Sequence, residues 1–337
     1  MTACMAATWE PAWSYRRGSV NPNLLNDWSM YTAPRRNPDM RSGLLRILAI
    51  PGLLTLTLAP ALAARGQAAA DKTIFIAVLD NAGKPVKDIA MGEILIREDG
   101  VDREVMSVAP ATDPLYVALL VDTTPAAEPY IQDIRRGLTA FVQQIGAAST
   151  DARISITEFG QAAIPITPFT TDREKLQKDI NRIFPKRGDV PAVLLEGLKD
   201  VSDSLAKQNS RRGAIVILTI EGAIDRSSQE PKKIQESLTK SRAQLWTVSL
   251  DKNRQKQDNL SQRDVVINAM TQATGGRREY ISAESAIEGY MKMYADALLS
   301  QYAVTYKRPL SDKPKLVQTG LTRPTPLKLH SGLFAPQ

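Results

Sequence analysis

Three runs of the chain are almost wholly apolar, at residues 115–122, 214–220 and 244–250. Such runs are typical of strands whose two faces are both covered by helices. Residues 152–159 and 277–282 predict two further strands, and residues 162–167 predict a hairpin partner at the edge of the same sheet. The hydrophobic pattern therefore predicts one sheet that is buried on both faces.

Between these strands, apolar residues recur at spacings of three and four, which predicts amphipathic helices. The predicted helices cover residues 131–145, 171–183, 194–205, 231–240, 264–273 and 287–298. Strands that alternate with such helices indicate an α/β fold with a doubly wound, mostly parallel sheet. The connections between its parallel strands are expected to be right-handed.

Two of the predicted helices carry local signals at their ends. Thr171, followed three residues later by Glu174, forms a capping box, which predicts that the second helix begins there. Gly275 and Gly276 follow the fifth helix and are expected to end it, because glycine adopts the left-handed conformation of a helix C-terminus at little cost.

A different pattern precedes and follows this body. Alternating residues at 73–80, 93–98 and 103–108 predict three short strands, which form a small N-terminal β module over residues 71–112. Residues 114–300 are then the doubly wound domain, and residues 301–337 are a C-terminal β extension. A module of about forty residues is marginally stable alone, so we expect the extension to pack on it.

Charged clusters in the chain are interpreted as solvated surface. Glu98, Asp99 and Asp102 lie at a predicted hairpin tip, where solvation is a simpler interpretation than calcium binding. The pairs Arg211–Arg212 and Arg277–Arg278 are interpreted as solvated loop ends. Neither arginine pair is long enough to form the concentrated basic face that is typical of nucleic-acid binding.

Residues 40–63 have the three regions of a secretory signal peptide, with basic residues, an apolar run and a small-residue cleavage pattern at Ala61 and Ala63. The apolar run is shorter than the ~20 residues that span a bilayer, so we expect cleavage. An uncleaved anchor, with membrane contact, is the alternative. Because a signal peptide is N-terminal, residues 1–39 are expected to be a mis-called start or a disordered extension. The prediction is export, to the periplasm or the extracellular space.

Net charge and rare residues narrow the function further. The formal net charge is +7, but seven of the 43 basic and three of the 36 acidic residues lie within residues 1–70, which leaves +3 for the rest. We therefore expect no nucleic-acid partner. The chain has a single cysteine, Cys4, and a single histidine, His330. A Ser-His-Asp triad or a histidine-ligated zinc site would therefore have to use His330. The sequence contains no phosphate-binding or dinucleotide-binding glycine motif, so no small-molecule cofactor is expected.

The end of the first buried strand is the place where chemistry is expected. Doubly wound sheets bind ligands at the carboxyl ends of their strands, near the point where the strand order reverses. Here Asp122 directly follows the strand, and the hydroxyl residue Thr124 stands two positions later. An aspartate at a strand end also commonly caps the turn or helix that follows it, and this alternative stays open.

Motifs at both ends of the chain carry a resemblance to a known family. The front has V-x-D-x-x-G-x-P-V at residues 78–86 and I-x-E-D-G at residues 96–100, and the tail has GGRREYIS, SQYAVTYK and SGLFAP. Together with the body between them, these motifs resemble von Willebrand factor A domains, and in particular exported bacterial proteins of acidobacterial type. The resemblance covers residues 73–336 and implies a von Willebrand factor A, Rossmann-like fold with a metal-ion-dependent adhesion site.

In the family's intact site, an Asp-x-Ser-x-Ser motif, a threonine and an aspartate hold a divalent cation, usually Mg²⁺, through oxygen atoms. The resemblance places Asp122 and Thr124 on the first two ligand positions, and Glu221 near the position of the later aspartate. Ala126 and Ala192 stand at the second serine and the threonine, and neither side chain has an oxygen. We therefore expect a degenerate site without a cofactor, with Mg²⁺ held by Asp122, Thr124 and Glu221 as the alternative.

The function predicted from these features is a non-catalytic, adhesion-type protein-protein interaction module. Asp122, Thr124, Pro191 and Glu221 are the candidate partner-binding residues, because all four should lie at one edge of the sheet. Two alternatives belong to other classes. A structural subunit of an envelope assembly would bury a larger and more apolar interface. A carboxylate-based hydrolase would need Asp122 and Glu221 in one pocket with separated pKa values.

Overall fold

The computed structural model describes residues 69–252, 261–310, 313, 316–323 and 326–336. In chain order the strands are β1 (Ala69–Leu79), β2 (Ile94–Glu98), β3 (Val101–Arg103), β4 (Val105–Pro110), β5 (Leu115–Asp122), β6 (Arg153–Phe159), β7 (Ala163–Thr170), β8 (Arg212–Ile220), β9 (Ala243–Leu250), β10 (Arg278–Ile281), β11 (Tyr302–Pro309), β12 (Val317–Leu321) and β13 (Lys328–Ser331). The α-helices are α1 (Ile131–Ala148), α2 (Arg173–Ile180), α3 (Leu194–Ala206), α4 (Pro231–Ser241), α5 (Gln262–Thr274) and α6 (Ile287–Leu299). The predictions for residues 1–39 and 40–63 concern a part of the chain that lies outside these described residues.

A six-stranded sheet forms the centre of the body, in the order β7–β6–β5–β8–β9–β10. Its neighbouring strands are parallel except for β6 and β7, which form the predicted edge hairpin. Leu119 of β5 lies opposite Ile156 of β6 and Val216 of β8, and all three side chains are buried. The prediction of a doubly wound, mostly parallel sheet flanked by helices is confirmed.

Helices cover both faces of this sheet. On one face α1, α2 and α6 enclose a core that contains Phe141, Trp246 and Tyr294. Helices α1 and α6 approach closely, since a Cβ atom at Gly137 would lie 2.6 Å from the side chain of Ile287. On the other face α3 packs against α4 and β5. None of the helices formed by the described residues is both long enough and apolar enough to cross a membrane.

The strands before and after the body form two further sheets. Strands β1 and β4 share an antiparallel sheet with β11 and β13 of the tail, in the order β13–β1–β11–β4. Strands β2 and β3 pair with β12 in the other sheet. Ile74 lies opposite Val304, and Ala77 lies opposite His330. The front and the tail of the described chain therefore share their backbone hydrogen bonds.

The prediction of a single strand at residues 103–108 is wrong in the number of strands. The chain forms two strands there, because β3 ends at Arg103 and β4 begins at Val105 in a different sheet. Strand β3 returns beside β2 through a turn at Asp99 and Gly100, which have φ angles of 45° and 84°. Strand β4 pairs with β11 instead. The chain thus changes sheets at Glu104.

The acidic group at this hairpin is only partly solvated, which corrects the interpretation from the sequence. Asp99 and Asp102 are exposed, whereas Glu98 has no exposed surface. The Glu98 carboxylate accepts hydrogen bonds from the Arg308 guanidinium at 2.6 and 3.1 Å and from the hydroxyl of Tyr306. Such partners are needed because burial removes the hydration of a charged group.

One arginine of the first pair interpreted as solvated is also buried. Arg211 is exposed, but Arg212 begins β8 and is 6% exposed. Its guanidinium donates to the side-chain oxygen of Gln301 at 2.8 Å, to the carbonyl of Ala111 at 3.1 Å and to the carbonyl of Leu298. Burial lowers the pKa of Arg212 to about 10. Arg212 therefore joins the start of β8 to the end of α6 and to the segment before β5.

The helix-end signals hold with one shift. Helix α2 begins at Arg173, and its N-cap is Asp172 rather than Thr171, because the Asp172 carboxylate accepts a hydrogen bond from the N–H of Lys175 at 2.9 Å. Threonine and aspartate are both good N-caps, so the local sequence does not separate them. Helix α5 ends at Thr274, and Gly275 caps it with a φ of 74°, which confirms the predicted glycine stop.

Candidate functional site at the carboxyl edge of the sheet

The carboxyl ends of β5, β6 and β8 meet at one edge of the central sheet, where β5 separates strands on its two sides. Open α/β sheets bind ligands at such a reversal of strand order. Backbone hydrogen bonds tie the loops together: the N–H of Thr123 donates to Phe159 at 2.8 Å, and that of Lys186 donates to Thr123 at 2.7 Å. We call residues 122–128, 159–164, 184–193, 220–228 and 261–265 the carboxyl edge.

Asp122 closes β5, and its side chain is fully buried. Oδ1 accepts hydrogen bonds from the N–H and the hydroxyl of Thr124, at 2.8 and 2.7 Å. Oδ2 accepts hydrogen bonds from the N–H of Ile220 at 2.9 Å and from the hydroxyl of Thr219 at 3.2 Å. These four donors match the roughly four lone-pair positions that a carboxylate offers. Asp122 thereby joins the end of β5 to the end of β8.

Burial and hydrogen bonding act in opposite directions on the pKa of Asp122. Burial raises the pKa because the charged form loses its hydration, whereas the donors from Ile220, Thr124 and Thr219 lower it, and the net pKa is raised. Thr124 is fully buried as well. The prediction that Asp122 and Thr124 contact a partner needs correction, since neither side chain presents surface; their contacts fix the loop after β5.

The loop that holds Pro191 runs beside the loop that follows β8. The N–H of Ala192 donates to the carbonyl of Ile224 at 2.8 Å, and the N–H of Arg226 donates to the carbonyl of Ala192 at 2.8 Å. Pro191 is partly exposed and directly precedes this pairing. The structure therefore brings Pro191 and the loop that begins with Glu221 to the same edge.

Glu221 follows β8 and lies between two arginines. Its carboxylate contacts the guanidinium of Arg263 in the first turn of α5 and, at 3.4 Å, that of Arg278 in β10. Arg278 also contacts Asp264 at 2.5 Å, and Arg263 lies 3.7 Å from Asp225. The side chains of the two arginines are 5% and 4% exposed. The interpretation of Arg278 as a solvated loop end is therefore wrong.

The two carboxylates of the hydrolase hypothesis occupy different environments. Asp122 is enclosed by neutral donors, whereas Glu221 is paired with arginines. Burial raises the pKa of Glu221, and although Arg263 opposes that effect the net pKa is raised. Asp122 has no exposed surface, so a substrate does not reach its carboxylate in this arrangement.

The residues at this edge do not fit the divalent metal that the resemblance implies. The acceptor positions of Asp122 are taken by protein donors, and Glu221 is paired with two arginines. Ala126 and Ala192 contribute no side-chain oxygen. Mg²⁺ requires a near-octahedral set of oxygen ligands. Within the described part of the chain, no group of three or more His, Cys, Asp or Glu side chains is placed to hold a metal ion.

Exposed apolar side chains collect at the same edge. Within the described residues of the doubly wound body, the exposed large apolar side chains are Ile164 (45%), Phe184 (60%), Ile224 (61%) and Val265 (52%). Ile164 lies opposite Glu158, near the end of β6, and the other three lie in two loops and in the first turn of α5. We call these four residues the apolar rim. One exposed apolar side chain is ordinary, whereas these four come from separate segments of the chain.

Reasoning from the sequence missed Arg263 and Arg278 as partners of Glu221. The signal that was available is topological, because Arg263 stands in the first turn of the helix after β9, at the edge where Glu221 was already expected. What the sequence did not supply is the direction of each side chain. Solvated arginines and arginines buried against carboxylates look alike in a single sequence.

Comparisons with known proteins concern the fold. No protein-family model matches the sequence, and no curated protein matches it. Among solved structures, the chain is similar to a von Willebrand factor type A protein from Catenulispora acidiphila, with 9% identity and a TM-score of 0.45 over 80% of this chain and 74% of that one. It is also similar to BatB from Bacteroides thetaiotaomicron, with 14% identity and a TM-score of 0.40 over 53% of this chain and 96% of that one.

A third similar structure is the PilB minor pilin from Streptococcus sanguinis, with 10% identity and a TM-score of 0.41 over 57% of this chain. The chain spans 63% of that pilin, which is less than two thirds of its length. At such identities the likeness concerns the fold alone, and the doubly wound assignment rests on the strand order and pairing of the central sheet.

Proposed function

We propose that this chain is an exported, non-catalytic protein-interaction module that binds a protein partner through its carboxyl edge without a divalent cation. The observation that carries the proposal is the apolar rim. Ile164, Phe184, Ile224 and Val265 come from separate segments, yet all four are exposed at the edge where loops of doubly wound folds bind ligands. Burial of apolar surface is the main driving force of most protein association.

The hydrogen bonds among the loops support the proposal. The segments that carry the apolar rim are held by backbone contacts, including Lys186 to Thr123 at 2.7 Å and Ala192 to Ile224 at 2.8 Å. A loop that is already ordered loses little conformational entropy when a partner binds. The edge therefore has the pre-organised form that favours a lasting contact.

The charges around the rim favour a protein over a polyanion. Glu128, Asp189, Arg187 and Arg226 are exposed at the carboxyl edge and carry both signs. Protein interfaces combine an apolar centre with a mixed polar margin, whereas nucleic-acid sites concentrate basic residues on one face. The partner in this proposal is thus a protein surface with an apolar patch.

Export is the part of the proposal that rests on residues 40–63, whose basic, apolar and small-residue regions have the order of a signal peptide. The partner would then be met in the periplasm or outside the cell. Cleavage near Ala64 is the corresponding expectation, and N-terminal sequencing of the protein isolated from its native cells tests it.

Site-specific photo-crosslinking tests the interaction surface. A photoreactive residue at Ile224 is expected to form an adduct with a protein partner in native cells. The same residue at Val101, which is 53% exposed but lies in β3, is the matched control and should give no such adduct. Equal adducts from both positions would contradict the proposal. An adduct only with a second copy of this chain would favour the structural-subunit hypothesis instead.

A further inference from the structure

Arg263 lies among carboxylates at the carboxyl edge. Its guanidinium contacts Glu221 directly, and its nitrogens lie 3.7 Å from Asp225 and 3.9 Å from Asp264. The residue is 6% exposed, so its charge has lost nearly all of its hydration. A buried charge is tolerated only with partners of opposite sign. The buried guanidinium of Arg263 therefore needs the carboxylates around it, and these carboxylates need its positive charge.

Arg263 lies beside a residue that the resemblance relates to the family's metal site. Glu221 stands nearest to the aspartate ligand of the family's metal site, and the residue before it, Ile220, donates its N–H to Asp122 at 2.9 Å. Asp122 and Glu221 therefore start from the ends of adjacent strands. Negative charges at the ends of adjacent strands repel one another unless a cation balances them. An intact site of the family uses a divalent metal for this purpose.

The neighbouring carboxylates affect the pKa of Arg263. Burial lowers the pKa of its guanidinium, but Glu221, Asp264, Asp225 and Asp122 raise it, and the net pKa lies above its ordinary value. A guanidinium is always charged in a protein, so the positive charge at this position is permanent.

We propose that Arg263 takes the place of the divalent cation at the carboxyl edge. Its guanidinium supplies a fixed positive charge that holds the loop after β8 and the first turn of α5 together around the end of β5. Asp122, whose acceptor positions are filled by protein donors, then serves as an internal hydrogen-bond acceptor. The proposal concerns the folded domain itself, and it holds or fails independently of whether the edge binds a protein partner.

Thermal unfolding of purified protein tests this replacement. For the unmodified chain, millimolar Mg²⁺, millimolar Ca²⁺ and a chelator should give the same Tm. Arg263→Met removes one of the two arginines that pair with Glu221, and the arginine that lies 3.7 Å from Asp225, so we expect Tm in chelator to fall by about 10 °C. Millimolar Mg²⁺ or Ca²⁺ should then restore several degrees, because a divalent cation can take the position of the lost guanidinium beside Glu221 and Asp225.

Arg212→Met is the matched control for that variant. Arg212 is also 6% exposed, but its hydrogen bonds go to Gln301 and to backbone carbonyls at the opposite edge of the sheet. We expect a comparable loss of Tm and no response to either cation. Arg263→Lys, which keeps the positive charge, should remain folded and insensitive to cations, and it serves as the second variant if Arg263→Met does not fold.

Three results would overturn the replacement. The first is a rise in Tm of the unmodified chain with Mg²⁺ or Ca²⁺, since a site already filled by a guanidinium gains nothing from them. The second is an Arg263→Met variant that responds to cations no more than Arg212→Met does. The third is an Arg263→Lys variant that cations stabilise.

Discussion

The carboxylate of Asp122 accepts a hydrogen bond from the backbone N–H of Ile220 at 2.9 Å, and this contact joins the ends of β5 and β8. It crosses the point at which the strand order of the sheet reverses. Three more donors, from Thr124 and Thr219, complete the environment of the carboxylate. An aspartate that begins a metal site in the resembling family is here a structural link between the two central strands.

Asp122→Asn should weaken this link. The amide NH₂ group replaces one carboxylate oxygen and faces a backbone N–H, of either Thr124 or Ile220, that has no other acceptor. A buried donor left unsatisfied costs about 1–3 kcal/mol, so we expect the free energy of unfolding to fall by about 2 kcal/mol in urea denaturation. Asp102→Asn, at an exposed surface pair, is the control and should change stability by less than about 1 kcal/mol. Equal effects would show that the Asp122 contacts contribute little.

Removal of one partner from the buried pair of Glu98 and Arg308 should be costly. Arg308→Met leaves the Glu98 carboxylate buried with fewer donors, and loss of about 3 kcal/mol of unfolding free energy is expected. The double variant Glu98→Gln with Arg308→Met should regain part of that loss, because it also removes the charge that burial penalises. A double variant no more stable than the single one would contradict the pairing.

The stability of the fold should fall in acid through His330. Burial, together with the charges of Arg277 and Lys328, lowers its pKa to about 4, although its contact with the Gly276 carbonyl opposes this shift. Because the pKa is lower in the folded state than in the unfolded chain, the neutral form stabilises the fold above about pH 6.5. This contribution is lost as pH falls from 6.5 through 4, and it amounts to about 3 kcal/mol.

His330→Phe isolates this effect, because the variant keeps an aromatic ring against Trp246. The ring centroids of Trp246 and His330 are 5.3 Å apart. Urea unfolding at a series of pH values between 7 and 4 should show a shallower loss of stability for the variant than for the unmodified chain. Parallel curves for the two proteins would mean that His330 does not titrate in this way.

The central sheet was predictable because strands that are buried on both faces have continuous runs of apolar residues. Strand β5 was predicted at residues 115–122, and the structure gives the same bounds. Continuous apolar runs of this kind are typical of strands that helices cover on each side. The edge hairpin of β6 and β7 and the glycine that ends α5 follow from equally local signals.

The burial of charged residues was not predictable, because it depends on partners far away in the sequence. Glu98 and Arg308 are 210 positions apart, Arg212 and Gln301 are 89 apart, and Glu221 is 57 from Arg278. No local pattern marks such a residue as buried. The location of the candidate site at the end of β5 could therefore be predicted, but the internal pairing of its charges could not.

Photo-crosslinking from position 224, repeated with and without divalent cations, tests whether the carboxyl edge binds a protein partner without a metal. We expect the same adduct from position 224 in the presence of a chelator and in millimolar Mg²⁺, with none from position 101. An adduct that forms in Mg²⁺ and disappears in chelator would show that binding requires a metal, and would restore a metal-dependent adhesion site.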